Sequence, residues 1–220
     1  MNILVFGASG SAGGSVVRAC LASPAVTSVR AITRRPLSIA SPKLRAVVHR
    51  DYRDYSAVAD AFVDLDACFF CLGISVTQVS GEAEYREITH DYTLAAATAL
   101  HKPSPSAAFH YISGQGTSAD SRFMWARVKA ETERELIARH DAVCWRPAAI
   151  DGEPSASSPR VYEFIRPLFR LLRPFRGLYI DGTDLGLAML QVTAEHIRGR
   201  VIENREIRDI ADRARPLAGA

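Results

Sequence analysis

Three observations predict an α/β fold built on a doubly wound parallel sheet. Short apolar runs alternate with amphipathic segments along the first two thirds of the chain, which is the rhythm of βαβ units. The first apolar run, Ile3-Leu4-Val5-Phe6, falls directly into a glycine-spaced turn and then into a helix-like run. The chain has 220 residues, 48% of them hydrophobic, enough to bury one sizeable core but not two full domains. The expected organisation is therefore a single domain over 1–220, in which 150–200 forms a small C-terminal segment covering the substrate side.

In chain order, strands are expected near 2–6, 28–32, 45–49, 66–72, 107–112 and 142–146, with helices near 12–22, 55–63, 82–100 and 121–139. There is no internal repeat and no low-complexity segment. Beyond Pro147 the alternation breaks. Residues 153–159 carry Pro154, Pro159 and three serines and read as an exposed loop, ahead of an arginine-rich aromatic segment over 160–176 and a closing helix near 183–196. Pro167 and Pro174 interrupt any long helix over 160–176, which favours a packed lid with solvated arginines over a membrane-surface or anion-binding role.

The turn Gly7-Ala8-Ser9-Gly10-Ser11-Ala12-Gly13 has the spacing of a Rossmann-type dinucleotide loop in the right context, strand before and helix after. Gly7 permits the tight turn, Gly10 lacks the Cβ that would hold a pyrophosphate off the backbone, and Gly13 allows close packing of the helix. The N–H groups at the positive end of that helix face the phosphates. All seven residues are expected to bind the cofactor. The second strand ends in Arg34-Arg35-Pro36, where an NAD site usually carries an acidic residue for the ribose hydroxyls. Two guanidinium groups suit a 2′-phosphate, so NADP(H) is favoured over a pair of solvated surface arginines. Asp51, with Tyr52 beside it after the third strand, lies where an acceptor meets the adenine amine, or else it caps the following helix.

The formal net charge of +3 is small and the basic residues are scattered, which gives no nucleic-acid signature and favours a small-molecule ligand. No apolar run reaches membrane-spanning length, and the N-terminal run is too short and lacks a basic leader; a cytoplasmic monomer or homodimer is expected. Cys68 and Cys71 have the spacing of a redox or zinc half-motif but fall inside an apolar strand, where residues three apart face opposite sides. No second cysteine pair or spaced histidine pair follows, so reduced core thiols and no metal site are expected.

On the glycine loop, Cys71-Leu72-Gly73, Tyr111-Ile112-Ser113, Val128-Lys129-Ala-Glu131, Trp145-Arg146-Pro147 and the tail 201–207, the chain resembles the atypical short-chain dehydrogenase/reductases, in particular their Tat-interacting-protein-like branch. The resemblance implies a Rossmann-type fold and an NADP(H) site that Cys71, Leu72, Gly73, Lys129 and Pro147 would border. In active members it implies a Ser, Tyr and Lys that move a hydride and a proton onto a carbonyl. Lys129 stands at the lysine position, and the alternative for it is a solvated lysine among Glu131, Glu133 and Glu135. Four residues earlier, where that family has its tyrosine, stands Trp125, whose indole N–H can donate a hydrogen bond but cannot deliver a proton. The alternative for Trp125 is a core aromatic on the stripe Trp125, Val128, Thr132, Leu136.

Ser113 emerges at the carboxyl end of a parallel strand, where its hydroxyl would face the nicotinamide crevice, although a serine opening a glycine loop is also ordinary turn chemistry. Tyr92 and Tyr111 are weak replacements as acids, one mid-helix and one within a strand. Ser113 and Lys129 are thus the catalytic candidates. Two function classes follow: a reductase of a small carbonyl compound lacking the usual tyrosine, or an NADP(H)-binding regulatory protein that has lost the chemistry.

Overall fold

The computed structural model describes residues 1–152, 174–175 and 177–218. Its centre is a seven-stranded parallel sheet made of β1 (Asn2–Phe6), β2 (Ser28–Thr33), β3 (Leu44–Val48), β4 (Ala67–Phe70), β5 (Ala108–Ile112), β6 (Val143–Arg146) and β9 (Arg200–Glu203). Their spatial order is β3-β2-β1-β4-β5-β6-β9. β1 is apolar at every position but the first because both its faces are covered. Ile3 and Val5 join one core layer with Val16, Val17 and Met189, whereas Leu4 and Phe6 join the other with Tyr55, Phe62 and Phe70.

The helices divide accordingly. α1 (Ser11–Ala22), α5 (Gly182–Ala194) and α6 (Asn204–Ala218) supply the first layer. The second is built by a 3₁₀ stretch (Ser56–Phe62), α3 (Tyr92–His101) and α4 (Met124–His140). The chain winds outward through β1, β2 and β3, then returns to β4 on the other side of β1. Such a reversal opens a crevice at the carboxyl ends of β1 and β4, where ligands of open α/β sheets bind. Among the described residues no helix is long and apolar enough to cross a membrane.

The six expected strands and the first helix are present with shifts of one or two residues. The expected helix over 82–100 is instead α2 (Glu82–Arg86), a π-helical turn (Glu87–Asp91) and α3. The region beyond Pro147 holds more structure than its sequence rhythm suggests. β7 (Ala149–Asp151) pairs in parallel with β8 (Tyr179–Asp181) as a small second sheet. Asn204 ties it to the main sheet: its Oδ1 accepts from Ala148 N–H at 2.8 Å and its Nδ2 donates to the Tyr179 carbonyl at 3.1 Å. Of the expected cover over 150–200, the segment 153–173 lies outside the described residues, and α5 packs on α1.

All four cysteines are free thiols, and Cys68 and Cys71 do join opposite layers. Burial pushes the Cys20 thiol up to about 12. His110, fully buried on β5, accepts from Trp145 Nε1 at its Nδ1 (3.1 Å), so Nε2 carries the proton that meets Thr193 Oγ1 at 3.1 Å. Desolvation holds this imidazole neutral, with its pKa lowered to about 3.

Candidate nucleotide-binding and active site

The strand register sets the site. Phe6 is level with Ile32 on β2 and Phe70 on β4, Phe70 with Tyr111 on β5, and Ile112 with Trp145 on β6. The residues just beyond these positions therefore line one carboxyl edge: Asp51, Arg34 and Arg35, the glycine loop, Cys71 to Gly73, Ser113 and Pro147.

The glycine loop is shaped by approaches that only glycine allows. Gly7 has φ +74°, and a Cβ there would lie 2.6 Å from the Cys71 carbonyl oxygen, while a Cβ at Gly13 would lie 2.2 Å from the Gly7 oxygen. Gly10 differs. It is the N-cap of α1 in an extended conformation (φ −84°, ψ 167°), and a Cβ would meet only the Gly7 oxygen at 3.2 Å. Gly10 N–H donates to Gly7 O at 2.8 Å, turning the chain so that the first turn of α1, which bears no acidic residue, opens onto the crevice. The unpaired N–H groups of that turn favour an anion. Beside them the Ser11 hydroxyl is buried without a hydrogen-bond partner among the described residues. These features fit a pyrophosphate, with Ala8 buried under the turn and Ser9 exposed at its tip.

Arg34 and Arg35 are both exposed, directly beyond β2, and Thr33 Oγ1 donates to the Arg35 carbonyl at 2.6 Å. Tyr52 is buried and stacks on Tyr92 (centroids 5.7 Å, interplanar 27°). Burial raises its phenol pKa, a shift that the nearby Arg34 charge partly opposes. The Asp51 carboxylate accepts the Arg53 N–H at 3.0 Å in a local turn, and the 3₁₀ stretch begins four residues after Tyr52, with Asp54 accepting from Ser56 N–H at 2.8 Å. Asp51 is thus not the helix cap. Cys71 lies under Gly7, its N–H on the Phe6 carbonyl at 3.1 Å; Leu72 packs on the second core layer and Gly73 is exposed.

At the other end of the edge, Ser113 is buried and pairs with Thr117 Oγ1 at 3.0 Å, while Thr117 also reaches the Gly114 carbonyl at 2.8 Å. Thr117 is the partner that sequence reasoning missed; its four-residue spacing from Ser113 is the one local signal for it. Lys129 extends from α4 and donates to the Ser113 carbonyl, its Nζ 3.4 Å from where a Gly114 Cβ would sit. Burial lowers the Lys129 pKa to about 8, although the buried Glu133 one turn along α4 pulls it upward. Glu133 is in turn held by Arg146 at 2.9 and 2.6 Å, an ion pair that fixes α4 to the end of β6. Pro147 is buried and its carbonyl accepts from Gln115 N–H at 2.9 Å.

Trp125 is half-buried and does not join the core, unlike Val128, Thr132 and Leu136 on the same stripe. It stacks on Phe123 (6.4 Å, 19°), and its ring lies 3.5 Å from where a Gly116 Cβ would project. Away from the crevice, ligand atoms of His90, Glu131 and Glu135 lie within 4.8 Å of one another. These side chains are already engaged by protein partners, Arg86 on both Glu131 oxygens, Asp91 at 2.7 Å from His90 Nδ1 and Glu135 at 3.4 Å from His90 Nε2.

Fold and loop together define a protein of the Rossmann class. Residues 1–99 match the NmrA-like family. Protein FMP52 of Saccharomyces cerevisiae is 32% identical over 161 residues, covering 71% of this chain and 69% of its own. The Candida albicans FMP52 is 26% identical over 210 residues, 91% of each chain. The chain belongs to the same family as the fungal FMP52 proteins. These likenesses do not establish the Tat-interacting-protein branch.

Among solved structures, a Burkholderia thailandensis oxidoreductase of the short chain dehydrogenase/reductase family superposes with TM-score 0.71 at 16% identity, covering 100% of this chain and 97% of its own. DesIV, the dTDP-glucose 4,6-dehydratase of Streptomyces venezuelae solved with NAD and TYD bound, gives 0.70 at 20% identity, covering 100% and 82%. Both likenesses are of fold. The expectation of a cytoplasmic protein is overturned: the relatives from S. cerevisiae, C. albicans, Emericella nidulans and Eremothecium gossypii are named as mitochondrial proteins. The cytoplasmic reading rested on the absence of a membrane-length apolar run and of a basic leader, whereas cellular address is read by receptors and need not involve either.

Proposed function

We propose that the chain is an NADP(H)-dependent reductase of a carbonyl substrate. A nicotinamide nucleotide is supported by the glycine loop and by the NAD bound to fold neighbours, and the phosphorylated form by Arg34 and Arg35 beyond β2. The observation that carries the reading is Lys129, held by the Ser113 carbonyl at the end of β5 on the edge that also bears the glycine loop. The first turn of α1 holds the pyrophosphate, and the two arginines hold the 2′-phosphate with charge-assisted hydrogen bonds. The bound nucleotide supplies the hydride. Lys129 donates to the ribose and, with a pKa near 8, is the acid we assign for the carbonyl oxygen, acting through one water. Thr117 holds the Ser113 hydroxyl in place. Part of 150–200 covers the crevice, a reading supported by the 2.9 Å bond from Gln115 Nε2 to the Gly177 carbonyl.

Following NADPH absorbance with a panel of aldehydes tests this. Lys129→Met should lose roughly 10²-fold or more in kcat/KM while remaining folded. Unchanged turnover would overturn the assignment. Trp125 favours a second reading, a catalytically silent NADP(H)-binding protein, because no phenol stands one turn before Lys129. Tight cofactor binding with no turnover on any carbonyl would favour it.

A further inference from the structure

Both exposed phenylalanines among the described residues stand in segments tied to one short loop, 113–117. Phe123 is 52% exposed and stacks on Trp125, whose ring abuts Gly116. Phe175 is 59% exposed, Leu178 is 49% exposed, and a hydrogen bond of 3.0 Å from Leu178 N–H to the Phe175 carbonyl makes them one turn. Gln115 fastens that turn through Gly177. The same loop carries Ser113 and meets Lys129 at Gly114, so this apolar lip belongs to the crevice.

Among the described residues, several polar groups around the lip are committed to other protein groups. The Ser113 and Thr117 hydroxyls bind each other and the Gly114 carbonyl, Gln115 binds Gly177, and Arg127 binds the Ser121 and Arg122 carbonyls at 3.0 Å each. An apolar ligand would cover side chains that now face water, the 52% exposed Phe123, the 59% exposed Phe175 and the 49% exposed Leu178. Arg122 lies over the Phe123 ring at 4.9 Å and braces it.

We infer that this crevice takes an apolar carbonyl compound, an aliphatic chain or aromatic ring carrying an aldehyde or ketone, laid against Trp125 and the Phe123, Phe175 and Leu178 lip. The inference rests on the reductase reading for the carbonyl and on the lip alone for the apolar tail. The test is calorimetric titration of straight-chain carboxamides of about four to about ten carbons, unreactive mimics of the aldehydes, into the protein with and without saturating NADPH. Affinity should rise about threefold to fourfold per added methylene until the lip is covered. In the triple variant Trp125→Ala, Phe123→Ser, Phe175→Ser the rise should flatten; the two phenylalanines are solvent-facing, so Phe123→Ser, Phe175→Ser serves if the triple variant unfolds. A flat series in the wild type overturns the inference whatever the turnover. A rising series with no NADPH oxidation on the matching aldehydes sinks the reductase reading and sustains the ligand class. A flat series with co-sedimentation on phosphatidylcholine vesicles assigns the lip to a bilayer and overturns the inference.

Discussion

Gly10 and Gly13 are three residues apart, and substituting them should fail in opposite ways. A Cβ at Gly13 lies 2.2 Å from the Gly7 oxygen and 2.6 Å from its carbonyl carbon, backbone atoms fixed by the turn. Gly13→Ala must shift the loop against α1, an overpacking cost of about 1–3 kcal/mol or more. For a chain of this size each kcal/mol lowers Tm by roughly 2–4 °C. Gly10 already has the backbone of an ordinary residue, and its Cβ position is tolerably close to one oxygen. Gly10→Val therefore costs the fold only N-cap preference, about 1 kcal/mol, partly offset by about 0.4–1 kcal/mol from the less free unfolded chain. On the proposed cofactor reading the valine nevertheless stands where the pyrophosphate approaches, and removing each charge-assisted hydrogen bond costs roughly 1.5–3 kcal/mol of binding. Thermal denaturation with and without NADPH, together with a fluorescence titration, separates the two effects. Gly10→Val should melt within a few degrees of wild type and weaken NADPH binding by at least about tenfold, whereas Gly13→Ala should melt lower. A folded Gly10→Val protein that binds NADPH normally would place the phosphate site elsewhere and refute the reasoning.

Trp125→Tyr restores a phenol one turn before Lys129 and should raise carbonyl reduction by up to about 10²–10⁴-fold; loss of a high wild-type turnover would show instead that Trp125 shapes the substrate pocket. Because burial lowers the Lys129 pKa to about 8, kcat/KM should fall as pH rises through about 8, and Lys129→Arg should remove that limb; a limb that persists in the variant belongs to another group. His110 has a folded pKa near 3, below its unfolded value of 6.5, so the unfolded chain binds the extra proton between those values. Stability should therefore decline as pH falls from about 6.5 toward about 3, by at most roughly 1.4 kcal/mol per unit from this group. His110→Gln should flatten the decline in urea midpoints measured at several pH values, and an unaltered slope would exclude His110 as its source.

Five of the six expected strands lie inside the sheet and were legible as mainly apolar runs, interrupted only by residues such as Arg30 and His110; the sixth, β3, is an edge strand with half-exposed to exposed residues, legible from Leu44, Ala46, Val47 and Val48. β9 (Arg200–Glu203) was not: four residues flanked by charge, it is a strand because β6 supplies its pairing. α6 reads as a charged tail, and only the stripe Ile207, Ile210, Ala211 and Ala214 commits it to the core. Nothing local signals the π-helical turn over Glu87–Asp91 inside one continuous helical pattern. The order of residues along the carboxyl edge followed from the strand assignments, since every expected site residue except Lys129 lies at or just past a strand end. Their pairing did not. The turn that Asp51 makes with Arg53, the Ser113–Thr117 bond and the burial that depresses the Lys129 pKa depend on neighbours brought in by the fold. The position of Trp125 outside the core likewise depends on Gly116 and Phe123, which the helical stripe alone does not reveal.

The most direct test of the NADP(H) site is a paired titration of NADPH and NADH against the wild-type protein and the double variant Arg34→Ala, Arg35→Ala. The wild type should hold NADPH about tenfold to a hundredfold more tightly than NADH, from charge-assisted hydrogen bonds worth roughly 1.5–3 kcal/mol. The double variant should lose that preference and leave NADH affinity unchanged. Equal affinities in the wild type, or a preference for NADPH that survives loss of both arginines, would contradict a 2′-phosphate site at the end of β2.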